Sequence, residues 1–177
     1  MHQELIINKI SSILEATNDS YDQVLTNHLD NAKRIFVSGA GRSGLITRFF
    51  AMRLMHSGYD VSVVGEIVTP SIKEGDLLII ISGSGETEQL IAFTKKAKAI
   101  GAKIMLISAK SESTIGDLAD VTLQIGRDEQ YGKVRGMPMG TVFELSTLLF
   151  LEATVSHLIH EKGIAEEEMR SRHANLE

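Results

Sequence analysis

Residues 76–90, DLLIIISGSGETEQL, decide how this chain folds. Five apolar residues, Leu77, Leu78, Ile79, Ile80 and Ile81, run without a polar break. An uninterrupted apolar run of that length reads as a strand buried on both faces, the habit of parallel sheets rather than of half-exposed hairpins. It empties into Ser82-Gly83-Ser84-Gly85-Glu86-Thr87, after which helical spacing begins and continues to a glycine at 101. Strand, glycine turn and helix in that order predict one unit of an alternating β/α fold.

The same unit recurs on both sides. RIFVSG (34–39) is a strand, followed by a glycine turn and a helix over about 43–57 that Gly58 terminates as a C-cap. DVSVVG (60–65), KIMLIS (103–108) and DVTLQI (120–125) supply three more strands, and a short helix follows Ser113. Helices alternate with strands and hairpin turns are missing, which predicts a five-stranded parallel sheet in a three-layer α/β/α domain, doubly wound in the flavodoxin manner. Amphipathic helices over about 4–31 precede the first strand, and a long apolar helix over about 140–161 closes the domain. The expected organisation is N-terminal helices in 1–31, the α/β core in 34–162 and a tail in 163–177 with no core of its own. Residues 126–139, charged and glycine-rich, read as a mobile loop.

Composition narrows the function. The 177 residues suit one well-buried domain, with 43% hydrophobic and 23% charged residues. Eighteen basic against 23 acidic residues give a net charge of −5, which argues against a nucleic-acid surface but not against small anions. With no cysteine there is neither a disulfide framework nor a thiolate metal site. The N-terminus has no signal-peptide pattern and no run reads as long enough to span a bilayer, so a soluble, cytoplasmic protein without a membrane partner is expected.

Two turns carry the chemistry. SGAGRSG (38–44) follows the first strand and SGSGET (82–87) the third. Each opens a helix whose first amides lack intrahelical partners, and serine or threonine hydroxyls add donors without bulk. Ser38, Gly41, Arg42 and Ser43 in one turn, with Ser82, Gly83, Ser84 and Thr87 in the other, suit a phosphate monoester. Helix N-capping explains the same hydroxyls individually, although three of them within six residues exceed what one cap requires. GAGRSG is also literally G-x-G-x-x-G, with Glu66 at the spacing of a ribose-binding acid, so a nicotinamide-dinucleotide reductase is a rival reading. Little chain remains for a substrate domain in that case.

SGSGET after an apolar strand, paired with the earlier glycine-serine turn, resembles the sugar isomerase (SIS) family of phosphosugar-binding domains. GAGRSG, FAMRLMHSGYDVSVVGE, TPSIKEGDLLIIISGSGETEQL, PMGTVFEL and the terminal RHANLE resemble the 6-phospho-3-hexuloisomerases within it, over essentially the whole chain. The resemblance implies interconversion of D-arabino-hex-3-ulose 6-phosphate and fructose 6-phosphate through an enediol. It further implies a place in formaldehyde fixation by the ribulose monophosphate pathway, no cofactor, no metal, and a homo-oligomer built as a dimer of dimers. A non-catalytic phosphosugar-binding module of the same family is the main alternative.

Proton transfer between adjacent carbons requires a base. Glu144 shares a helical line with Leu148, Leu151, Val155 and Leu158, an unusual place for a carboxylate unless it is paired or working, though a solvent-facing first-turn glutamate is a common use. His56, at a helix end, either bonds the last carbonyls or faces substrate, and the resemblance implies the second. Arg42 is expected on an anion. Glu86 and Glu88 are explained by the helix dipole. His157 and His160 have no acid or third ligand evident in the sequence, so no zinc site is expected. Arg170, Arg172 and His173 in the tail are expected to fold over an active site, of this or a neighbouring subunit.

Overall fold

The computed structural model describes residues 1–176. Its elements, in chain order, are α1 (His2–Glu15), α2 (Tyr21–Asn31), β1 (Ile35–Gly39), α3 (Gly41–His56), β2 (Val61–Val63), β3 (Leu77–Ile81), α4 (Glu88–Ile100), β4 (Lys103–Ser108), α5 (Thr114–Leu118), β5 (Val121–Gln124), a 3-10 turn (Asp128–Tyr131), α6 (Thr141–Lys162) and α7 (Glu166–Ser171). The five strands form one parallel sheet in the order β2-β1-β3-β4-β5. This is the doubly wound order expected from the alternation of elements, and its reversal point lies between β1 and β3.

The central strand explains the layering. All five residues of β3 are buried. Leu77, Ile79 and Ile81 join one cluster with Ile35, Val37, Met105 and Ile107, beneath the apolar sides of α1, α2, α3 and α6. Leu78 and Ile80 join the opposite cluster with Phe36, Ile104, Leu106, Leu90 and Ile115, beneath α4 and α5. Side chains alternate between faces every residue, so a strand covered on both sides must be apolar throughout. Each such leucine or isoleucine contributes about 2 kcal/mol relative to an exposed position.

Three segments carry features not read from the sequence. The tail forms a further helix, α7, which contacts α3. The 126–139 segment holds the 3-10 turn, whose Asp128 carboxylate accepts from Ser111 N–H at 3.0 Å and from the Gln124 amide. α6 is the third: its 22 residues include a window of mean hydropathy 1.4, long and apolar enough to cross a membrane. Its buried residues, among them Phe143, Phe150, Leu151, Val155 and Leu158, instead belong to the larger core cluster. Its apolar character is that of a helix packed against α1, α2 and α3.

Candidate active site

Pairing of β1 with β3 sets Ser38 beside Ile80 and Gly39 beside Ile81, so the two glycine turns leave the sheet side by side. The first turn is tight where its glycines bring no side chain. Gly41 opens α3 at φ +54°, and a Cβ at Gly44 would stand 2.8 Å from the Gly39 carbonyl oxygen. Gly41 itself faces open space, so its backbone can be approached closely.

The second turn is built partly from its own hydroxyls. Ser82 Oγ accepts from Gly85 N–H at 3.1 Å and Ser84 Oγ accepts from Glu86 N–H at 3.2 Å. That is the capping-type use of serine, and each hydroxyl still has its proton to donate. Thr87 is the N-cap residue of α4 without a side-chain cap bond. Glu86 does more than complement a helix dipole. Its carboxylate accepts from both Thr114 N–H and Thr114 Oγ1, each at 2.7 Å, clasping the turn to the start of α5. Those two bonds hold the Glu86 carboxyl below its ordinary range. Gly85, at φ +67°, packs so closely on Ser113 that a Cβ would stand 2.1 Å from its Oγ.

α6 brings the third component. Phe143 lies against Gly83, where a Cβ would meet the ring at 3.0 Å, and the ring of Tyr131 meets Phe143 edge-on at 6.2 Å. Burial pushes the Tyr131 phenol up, and its hydroxyl donates to the Ile125 carbonyl. The next residue along α6, Glu144, is 9% exposed and aligned with Leu151, Val155 and Leu158 as its spacing implied. Its Oε2 accepts from Arg42 Nε, a pair that joins the first glycine turn to the first turn of α6. Its Oε1 lies 2.6 Å from the point where a Cβ of Gly140 would stand, and Gly140 takes φ +87°. Arg42, expected on an anion, thus engages the carboxylate.

The N-termini of α3 and α6 therefore meet at one carboxylate, and the turn before α4 lies against the neighbouring Phe143. Each presents amide N–H groups without intrahelical partners, the arrangement that stabilises negative charge. A site of this kind can hold a phosphate and stabilise an oxyanion beside a base.

His56 is not brought to this place. It ends the 16-residue α3, while Arg42 lies in that helix's first turn, so about 20 Å separate them at 1.5 Å per residue. His56 is buried under the tail. His173 stacks on it with ring centroids 5.2 Å apart and planes 22° apart, and Arg172 Nη1 donates to the His56 carbonyl at 3.0 Å. The Arg172 guanidinium occupies the space beside Gly58 that a side chain would fill. Glu66, the acid of the dinucleotide reading, accepts from Arg48 Nε and Nη2 at 3.2 and 2.9 Å. His157 does gain acids: Glu161, one turn along the same helix, at 3.3 Å, and Asp22, distant in the chain, at 3.9 Å.

A model of the SIS domain family matches residues 28–155. The chain is 53% identical to a 3-hexulose-6-phosphate isomerase of Methylomonas aminofaciens, covering 99% of this chain and 98% of that one. It is 42% identical to the enzyme of the same name from Bacillus subtilis, over 97% of this chain and 95% of the other. The crystal structure of a hypothetical protein from Methanococcus jannaschii, for which a 3-hexulose-6-phosphate isomerase function was inferred, superposes with a TM-score of 0.88 at 38% identity. The two cover 99% and 98% of each other's chains.

Proposed function

The chain belongs to the SIS domain family, and on that premise we propose that it is a phosphosugar isomerase interconverting D-arabino-hex-3-ulose 6-phosphate and D-fructose 6-phosphate. The observation that carries the reading is the Glu144 carboxylate, buried in the first turn of α6 beside two hydroxyl-lined glycine turns. Names of the full-length relatives support the choice of substrate.

In the forward direction Glu144 removes the proton from C2 of the 3-ulose. The C2–H electrons form the C2=C3 double bond, and the C3 carbonyl oxygen becomes the enediolate oxyanion. Return of the proton to C3, with transfer of the O2 proton to the C3 oxyanion, leaves the carbonyl at C2 and a hydroxyl at C3. The 6-phosphate sits on the backbone amides of the two turns, with Ser38, Ser43, Ser82, Ser84 and Thr87 as hydroxyl donors around it. Unpartnered helix-start amides offset the enediolate charge. Such a step consumes the product of an aldol addition of formaldehyde to a pentulose phosphate, which is why we assign the chain to formaldehyde fixation by the ribulose monophosphate route.

His56 enters this scheme only from another copy of the chain. Arg42, Leu45, Phe49, Met52 and His56 fall at alternating three- and four-residue spacing, one line along α3. Leu45, Phe49 and Met52 on that line are exposed at 65%, 46% and 53%. A second copy packed along it is the simplest cover for so much apolar surface. We assign His56, with His173 and Arg172 against it, to the site of that neighbour, where an imidazole serves ring opening or polarises the carbonyl.

Glu144→Gln tests the reading. The variant should bind fructose 6-phosphate within about threefold of wild type by calorimetry, while turnover falls by at least about 10³-fold. Wild-type protein that binds the sugar phosphate without turnover would instead make the chain a sensor module.

A further inference from the structure

We propose that Arg42 is a positioning residue for the base and not an anchor for the phosphate. The inference deepens the isomerase reading and rests on it. Two observations carry it, together with the reading of the two turns as the phosphate site. Arg42 Nε is committed to Glu144 Oε2, across the gap between the first glycine turn and α6. The other oxygen, Oε1, packs against Gly140, 2.6 Å from where a Cβ would stand. On the proposed reading, the amides and hydroxyls of turns 38–44 and 82–87 supply the phosphate's donors without the Arg42 guanidinium.

Both ends of the carboxylate are therefore held. Arg42 Nε engages Oε2 through a directional, charge-assisted hydrogen bond. Oε1 fills the room that Gly140 leaves by having no side chain, so rotation of the base is limited from both sides. A base that is free to rotate loses that alignment, and a displacement near 1 Å costs about 10²-fold in rate. With its side chain 65% exposed, Arg42 can do this from the rim without closing the entrance.

The test compares Arg42→Gln and Arg42→Lys with wild type, measuring kcat, KM and the calorimetric Kd for fructose 6-phosphate. Loss of about 10²-fold in kcat, with KM and Kd within about threefold, supports the assignment. Guanidinium added to Arg42→Ala should then restore part of the rate, which a variant damaged only in folding would not show. An Arg42→Gln protein with undiminished kcat and tenfold weaker binding overturns it and makes Arg42 a phosphate ligand. Wild-type protein that binds without turnover removes the isomerase reading, and this inference with it.

Discussion

At the scale of single residues, chemistry depends on what is missing as much as on what is present. Gly140 is the clearest case. It holds φ +87°, a conformation L side chains rarely adopt, and its missing side chain makes room for Glu144 Oε1. Gly140→Ala should cost about 1–2 kcal/mol of stability from the backbone alone, read from the urea midpoint. It should also lower kcat at least tenfold, as the methyl group, 2.6 Å from Oε1, displaces the carboxylate. Retention of full kcat would show that the placement of Oε1 does not matter to the reaction. Glu144 was legible in the sequence because a carboxylate on an apolar helical line stands out. Its pairing with Arg42 was not, since no local pattern links positions so far apart in the chain, and an arginine in a glycine turn reads equally well as an anion contact.

At the scale of elements, the second glycine turn derives its shape from α5. The Glu86 clasp on Thr114, the Ile115 N–H bond to the Gly85 carbonyl at 3.1 Å and the seat of Ser113 on Gly85 together fix the loop. Of the two effects that hold the Glu86 carboxyl down, the Thr114 hydroxyl bond is the larger and the amide bond the second. A carboxyl whose folded value is depressed stabilises the fold above its unfolded value, and that contribution disappears as pH falls through the folded value. For Glu86 the loss therefore lies below its ordinary 4.5. Carboxyl NMR should give Glu86 a midpoint under that value, and Thr114→Val should move it upward while leaving the amide bond. A Glu86 midpoint unchanged by Thr114→Val would dissolve the clasp as an energetic device. The strands and helices themselves were readable from apolar runs and glycine stops, because both patterns are local. The clasp was not, for it joins a turn after one strand to a helix after the next. α7 was missed for a related reason: a short charged helix gains its place from docking on α3 and carries little apolar periodicity of its own.

At the scale of the molecule, α3 separates two groups that one reaction would use. Arg42 and Glu144 stand at its start, His56 at its end, and about 20 Å lie between. A two-fold axis perpendicular to a helix pairs it with an antiparallel copy. Phe49 is midway between Arg42 and His56 on their common line, so an axis passing beside Phe49 sets each His56 opposite the other copy's Arg42 and Glu144. The exposed apolar side chains along that line are then buried by the same contact that completes the site. Leu45, Phe49 and Met52 on that line are among the exposed large apolar side chains of the described residues. If each site draws on two copies, inactive variants must repair one another. Glu144→Gln and His56→Asn, each nearly inactive alone, should yield hybrids with one intact site when co-expressed. Random pairing makes half the dimers hybrid, so activity should recover to about a quarter of wild type. A co-expressed mixture no more active than its components would place both residues' work within a single chain, or remove His56 from the reaction.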